Sequence, residues 1–230
     1  MGYGWQTGDT IPQLVERALG IGRGFIEETM LVLGVEDKLV GSAGLSNSST
    51  ARYLIPELNK LPDVGSITTG INCETVAAVD PDLVIVRKSV YFQDQGDKAV
   101  ETIESLDIPV IVLRDPDHFH ISDITTIYQE IGLLGRIFNQ TESAQKLIDE
   151  MDIGVTSITE RTKTIKEENR PRVLFFGLGS SGARNKGEVV VVWAKECTST
   201  FTDLLNIKSA YEGIRRNVLS AEYVLNLIQT

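Results

Sequence analysis

The sequence has few of the residues on which recognisable catalytic or metal chemistry depends. Its 230 residues include two cysteines and two histidines. Cys73 and Cys197 lie too far apart to form a CxxC motif, so no zinc or thioredoxin-type site is encoded. The sequence does not decide whether these two cysteines form a disulfide with each other. No GxSxG, HExxH or Walker motif is present. We therefore predict a protein that is not an enzyme and has no cofactor and no dedicated metal site.

Two further absences exclude whole classes of protein. Acidic side chains number 32 and basic ones 22, which gives a net charge of −10 and no basic cluster to neutralise phosphates. Nucleic-acid binding is therefore excluded. No apolar run approaches the roughly 20 residues that span a bilayer. The opening MGYGWQTGDTIPQ has no basic stretch followed by an apolar one, so we expect that an export signal is absent from this sequence.

Short apolar runs alternate with helical patterns along the chain. The predicted strands are Ala18–Ile21, Leu39–Ser42, Leu83–Val86, Val110–Leu113 and Arg172–Gly177. The predicted helices between them are Gly24–Leu33, Asn72–Val79 and Lys98–Leu106. Bare apolar strands alternating with helices indicate an α/β fold with parallel strands buried on both faces.

The segment Ser122–Glu168 differs, because apolar residues recur there at three- and four-residue spacing without a proline. Asn139 and Thr141 offer a break and a new helix start. After Pro171 a second α/β pattern begins. The predicted organisation is an N-terminal α/β lobe at 1–121, an inter-lobe helical segment at 122–168 and a partial C-terminal α/β lobe at 169–230.

Two motifs permit other interpretations. Gly177–Gly182 reads GLGSSG and follows a strand, as in dinucleotide-binding proteins, but the residues after it read as a turn and a strand rather than a helix. Asp115–His120 reads DPDHFH and could supply metal ligands, or simply cap the following helix. A nucleotide-dependent oxidoreductase that uses the glycine loop is therefore retained as an alternative.

The sequence LPDVGSITTGINCETVAAVDPDLVIV at Leu61–Val86 resembles the class III solute-binding proteins of ABC importers for iron-siderophores, haem and cobalamin. IPVIVLRDPDHFHISDI, RPRVLFFG and FTDLLNIKSAYEG resemble later segments of that family, in the family's order. The resemblance implies two Rossmann-like lobes joined by a long helix, with the ligand held between them. It also implies an extracytoplasmic protein, periplasmic or lipid-anchored.

In that family the second lobe continues beyond the position of Gln229. We therefore expect this sequence to be C-terminally shortened, with an apolar edge left exposed and possible self-association. A fragment that associates with itself and binds no ligand is the second alternative.

Ligands of open α/β sheets bind beyond the carboxyl ends of the strands. On the lobes that the resemblance implies, this rule selects ten candidate ligand-binding residues: Arg23, Thr68, Thr69, Asn72, Arg87, Lys88, Tyr91, His118, Arg184 and Trp193. Thr68 and Arg87 fall where the cobalamin-binding relative has tryptophans, which argues against cobalamin. The cations favour an anionic ligand such as a ferric siderophore.

Glu74 and Glu222 match the two glutamates that, in the cobalamin-binding relative, pair with permease arginines. Exposed carboxylates on opposite lobes suit such docking, because arginine–carboxylate contacts fix orientation. Alternatively, both are ordinary glutamates favoured at helix N-termini. The resemblance thus predicts a binding protein that captures an iron chelate or related metal complex and delivers it to an ABC permease.

Overall fold

The computed structural model describes residues 14–22, 24–43, 53–67, 70–88, 93–114, 124–178, 190–192, 201–213 and 217–229. Its helices and strands are, in chain order, β1 (Ala18–Ile21), α1 (Phe25–Leu33), β2 (Leu39–Ser42), β3 (Gly65–Ser66), β4 (Gly70–Ile71), α2 (Cys73–Val79), β5 (Leu83–Lys88), α3 (Gln93–Glu104), β6 (Val110–Arg114), α4 (Thr125–Ile137), α5 (Thr141–Thr162), β7 (Arg172–Val173), β8 (Phe176–Leu178), β9 (Val190–Val192), β10 (Lys208–Ser209), β11 (Asn217–Leu219) and α6 (Ala221–Gln229). The chain divides into two compact units, one of residues 1–116 with 125–149 and one of residues 117–124 with 150–230.

A four-stranded parallel sheet in the order β2-β1-β5-β6 forms the centre of the first unit. All four residues of β1 are buried, and so are the first four residues of β5. Leu19, Ile21, Val84 and Val86 belong to one core cluster with Ile103 of α3. Burial on both faces explains why these strands are continuous apolar runs rather than alternating ones. The predicted α/β class is confirmed.

Asp82 aligns the two central strands at their amino ends. Its carboxylate accepts hydrogen bonds from the backbone N–H groups of Glu16, at 2.9 Å, and Arg17, at 3.2 Å. The Arg17 side chain in turn donates to the carbonyl oxygens of Val79, at 2.5 Å, and Asp80, at 2.8 Å. Together these hydrogen bonds of Asp82 and Arg17 hold the end of α2 and the start of β5 against the segment that precedes β1.

The predicted bounds of β1 and β2 are those of the structure, whereas α3 begins earlier than predicted. It starts at Gln93 instead of Lys98, and so includes a glycine that disfavours helix by itself. A Cβ on Gly96 would lie 3.2 Å from Lys88 Cγ, so the glycine admits the lysine stem of β5. A tertiary contact therefore overrides local propensity here.

The predicted break in the central helical segment is confirmed. Helices α4 and α5 are separated at Asn139, whose φ of 56° lies in the left-handed region that asparagine tolerates. Gly135 lets the two helices meet closely, because a Cβ there would lie 2.4 Å from Ala144 Cβ. Ala144 is itself buried.

In the second unit, the predicted strand Arg172–Gly177 is in fact two short strands with different partners. β7 pairs with β10 in parallel, whereas β8 joins an antiparallel sheet in the order β11-β9-β8. Val192 of β9 and Val224 of α6 form the small core that packs on this sheet.

The end of α5 is held within the second unit by Asn206. Its side-chain amide donates to the carbonyl oxygens of Thr162, at 2.8 Å, and Ile165, at 2.9 Å. Thr162 is the last residue of α5, so Asn206 fixes the chain where it leaves that helix. Residues 201–205 are helical.

Candidate functional site

The carboxyl ends of the parallel strands form one edge of the first unit, and two predicted ligand-binding residues lie on it. Arg87 and Lys88 are the last two residues of β5, in register with Leu113 and Arg114 of β6. Ser42 ends β2. This edge is where an open α/β sheet binds its ligands.

Arg87 is largely buried and held on two sides. Its Nη2 and Nε lie 2.9 and 3.2 Å from Glu130 Oε2 on α4, and its Cζ lies 3.8 Å from the centre of the Phe25 ring. The side-chain exposures are 12% for Arg87 and 3% for Glu130. A Cβ on Gly22 would lie 2.9 Å from Arg87 Cβ, so that glycine leaves room for the arginine. The predicted cation is therefore present at the edge, but a buried carboxylate already pairs with it.

Lys88 forms the second ion pair of this edge, with Asp97 on α3. The pair is more accessible than the first, with side-chain exposures of 27% for Lys88 and 46% for Asp97. Solvent screens such a pair, so its contribution to stability is small.

Glu27 of α1 is a second buried carboxyl group on the same side of the unit. It is fully buried, and its Oε1 accepts a hydrogen bond from the Ser42 hydroxyl. Within the described part of the chain, its Oε2 has no hydrogen-bond partner. Burial raises the pKa of Glu27 above its ordinary value of 4.5, and the Ser42 hydrogen bond opposes that rise.

The raised pKa of Glu27 predicts a pH-dependent stability. Because the folded state binds this proton more tightly than the unfolded chain, the free energy of unfolding should fall as pH rises above 4.5 and through the folded pKa. Glu27→Gln lacks this loss and should gain stability relative to wild type over the same pH window. Urea unfolding at a series of pH values measures the difference, with the exposed Glu74→Gln as control. Parallel profiles for wild type and Glu27→Gln would contradict the assignment.

The two predicted docking glutamates occupy equivalent positions on two capped helices. Glu74 is the second residue of α2, after Asn72, whose Oδ1 accepts from the backbone N–H of Thr75 at 3.0 Å. Glu222 is the second residue of α6, after Ser220, whose Oγ accepts from the backbone N–H of Tyr223 at 3.2 Å. Both glutamates are exposed. Asn72, a predicted ligand-binding residue, is exposed and is placed here as a helix cap.

The remaining predicted site residues lie outside the described residues. They are Arg23, Thr68, Thr69, Tyr91, His118, Arg184 and Trp193. The possible metal cluster at 115–120 and most of the GLGSSG loop also lie outside them. Within the described ranges, no three His, Cys, Asp or Glu side chains group closely enough to hold a metal ion. No helix in those ranges is long and apolar enough to cross a membrane.

Sequence reasoning missed Glu130 and Glu27. Each is a carboxylate on the apolar stripe of an amphipathic helix, Glu130 next to Ile131 and one turn from Leu134, and Glu27 next to Ile26. That position was the available signal, since a buried charged group must find a partner or give up its charge.

Residues 23–227 of the chain match the periplasmic binding protein family. An uncharacterized ABC transporter substrate-binding lipoprotein of Bacillus subtilis is 25% identical over 146 residues, which are 64% of this chain and 42% of that protein. The chain thus spans less than half the length of this curated relative.

Two solved structures show the likeness of fold. The molybdate periplasmic binding protein MolA of Haemophilus influenzae has a TM-score of 0.72 at 15% identity, over 95% of this chain and 68% of that one. The petrobactin-binding protein YclQ of Bacillus subtilis has a TM-score of 0.68 at 15% identity, over 94% of this chain and 69% of that one.

The family and these structures are binding proteins and not enzymes, which removes the oxidoreductase interpretation of Gly177–Gly182. The match covers most of the chain, and the parallel sheet of the α/β fold agrees with it. The chain belongs to the periplasmic binding protein family.

Proposed function

We propose that this chain is an extracytoplasmic substrate-binding protein of an ABC importer. It captures an iron chelate of the siderophore type, or a related metal complex, and delivers it to a permease. Binding and release are its whole activity, without covalent chemistry. The Bacillus subtilis lipoprotein supports the transport role, since its name assigns it to an ABC transporter.

The observation that carries the proposal is the equivalence of Glu74 and Glu222. Each is an exposed carboxylate at the second position of a helix, and the two belong to different compact units. Carboxylates so displayed are suited to charge-assisted contacts with arginines of a partner, which set orientation and association rate. A permease with one arginine site for each unit is the partner that this pattern fits.

The ligand site of the proposal is the strand-end edge. Arg87 and Lys88 lie at this edge, and Asn72, the cap of α2, is a further proposed ligand-binding residue. Arg23, Thr68, Thr69, Tyr91, His118, Arg184 and Trp193 are also proposed as ligand-binding residues. Oxygen-rich chelates present acceptors to arginine, lysine and amide donors of this kind. Petrobactin and molybdate, the ligands named for the two similar structures, are both oxygen-rich.

A thermal-shift panel at fixed protein concentration tests the proposal. The probes are ferrichrome, ferric enterobactin, haem, cobalamin and molybdate. A ligand at about 100 times its dissociation constant should add about 2.7 kcal/mol to the free energy of unfolding. We expect such a shift with at least one ferric chelate. No shift with any probe, together with concentration-dependent oligomers, would instead favour the self-associating alternative, for which exposed Phe176 and Leu225 provide apolar surface.

A further inference from the structure

We propose that Glu130 determines which charge class of chelate this protein accepts. The inference rests on the proposed function, in which Arg87 lines the ligand site. Glu130 offsets the charge of Arg87, so an anionic ligand gains less from this arginine than from one without a carboxylate beside it. Chelates of high negative charge are thereby disfavoured relative to neutral ones.

Glu130 lies directly against the guanidinium group of Arg87. Both contacts to Glu130 Oε2, from Nε and Nη2, use one edge of the planar guanidinium, and Phe25 lies against its face. Because Glu130 is 3% exposed, water does not screen its charge as it would at the surface. The charge of Glu130 therefore opposes the attraction that Arg87 exerts on an anionic ligand at the end of β5.

Lys88 and Asp97 provide an internal comparison on the same strand end. They also form an ion pair, but both partners are only partly buried, with side-chain exposures of 27% and 46%. Solvent and counterions should therefore reduce the effect that loss of the Asp97 charge has on ligand affinity. Glu130→Gln and Asp97→Asn each remove one negative charge, the first from the buried ion pair and the second from the more accessible one. Comparing the two variants separates a specific effect of Glu130 from a general change in net charge.

The experiment measures the affinities of two ferric chelates by equilibrium dialysis with radiolabelled iron. Ferrichrome is a neutral trihydroxamate complex, and ferric enterobactin is a triply anionic catecholate complex. We expect Glu130→Gln to raise the affinity for ferric enterobactin relative to ferrichrome by about tenfold. The substitution removes a negative charge that solvent screens poorly because it is buried. Asp97→Asn should change the same ratio by less than about threefold. A merely structural role for Glu130 would lower both affinities together and leave the ratio unchanged.

A double variant covers the case in which Glu130→Gln leaves Arg87 uncompensated and does not fold. Arg87→Gln with Glu130→Gln removes both charges at similar volume. The proposal predicts that its affinity ratio stays within about threefold of wild type, because the net charge at the strand end is unchanged. A tenfold selective loss of ferric enterobactin in the double variant would mean that Arg87 acts as an uncompensated cation, which overturns the inference.

The wild-type protein separates this inference from the proposed function. If wild type binds a chelate but the ratio does not respond to Glu130→Gln, only the inference fails. If wild type binds neither chelate nor any other metal complex of the thermal-shift panel, the proposed function fails and the inference with it.

Discussion

Replacing both Glu74 and Glu222 with lysine is expected to abolish productive docking on the permease while ligand affinity stays unchanged. Each carboxylate would contact an arginine of the partner, and reversal turns each attraction into repulsion. Truncating one member of a desolvated charge pair costs about 2–5 kcal/mol in binding, so the double reversal should lower affinity for the permease by at least two orders of magnitude. Ligand-stimulated ATP hydrolysis by the reconstituted importer measures the loss.

A third glutamate supplies the control for this docking prediction. Glu142 is also exposed and is also the second residue of its helix, α5. Glu142→Lys reproduces the unfavourable interaction with the helix dipole, about 0.3–1 kcal/mol, without touching the proposed interface. Normal stimulation by the Glu74→Lys and Glu222→Lys double variant would contradict the docking role. Equal loss with Glu142→Lys would show that the effect is one of overall charge.

Gly135→Ala is expected to destabilise the first unit by about 1–3 kcal/mol, which is the range for overpacking a close contact. The added Cβ would lie 2.4 Å from Ala144 Cβ and 3.2 Å from the carbonyl oxygen of Gln140, so α4 and the start of α5 would have to separate. Urea unfolding monitored by far-UV circular dichroism gives the change in the free energy of unfolding.

Gly132→Ala is the matched control on the same helix. Its added Cβ would meet Ile148 Cδ1 at an ordinary 3.8 Å. Alanine forms helix more readily than glycine by about 1 kcal/mol, so this variant should be as stable as wild type or more so. If both alanine variants gained stability equally, the close approach of α4 and α5 at Gly135 would be wrong.

The first unit was predictable from the sequence because its strands are buried on both faces. Burial of that kind leaves bare apolar runs such as Ala18–Ile21, whose ends are marked by charged or glycine residues. The break at Asn139 was predictable for a similar reason, since asparagine tolerates the left-handed backbone that ends a helix. Both signals are local and therefore visible in sequence.

The partners at the site were not predictable, because they depend on contacts between distant segments. Arg87 could be placed at a strand end, but Glu130 lies 43 positions away and joins it only when α4 packs on the sheet. The extension of α3 through Gly96 has the same origin, since Lys88 occupies the space that the glycine leaves. In the second unit, the short strands β7 and β8 look like one apolar run, and only their pairing partners separate them.

Isothermal titration with ferrichrome and ferric enterobactin is the direct test of whether the protein captures an iron chelate. We expect saturable binding of at least one ferric chelate, with one ligand per chain. The iron-free siderophores serve as controls, and they should bind more weakly, since the metal fixes the arrangement of the chelating oxygens. Absence of heat with both ferric chelates and with haem, from protein that unfolds cooperatively, would contradict the account.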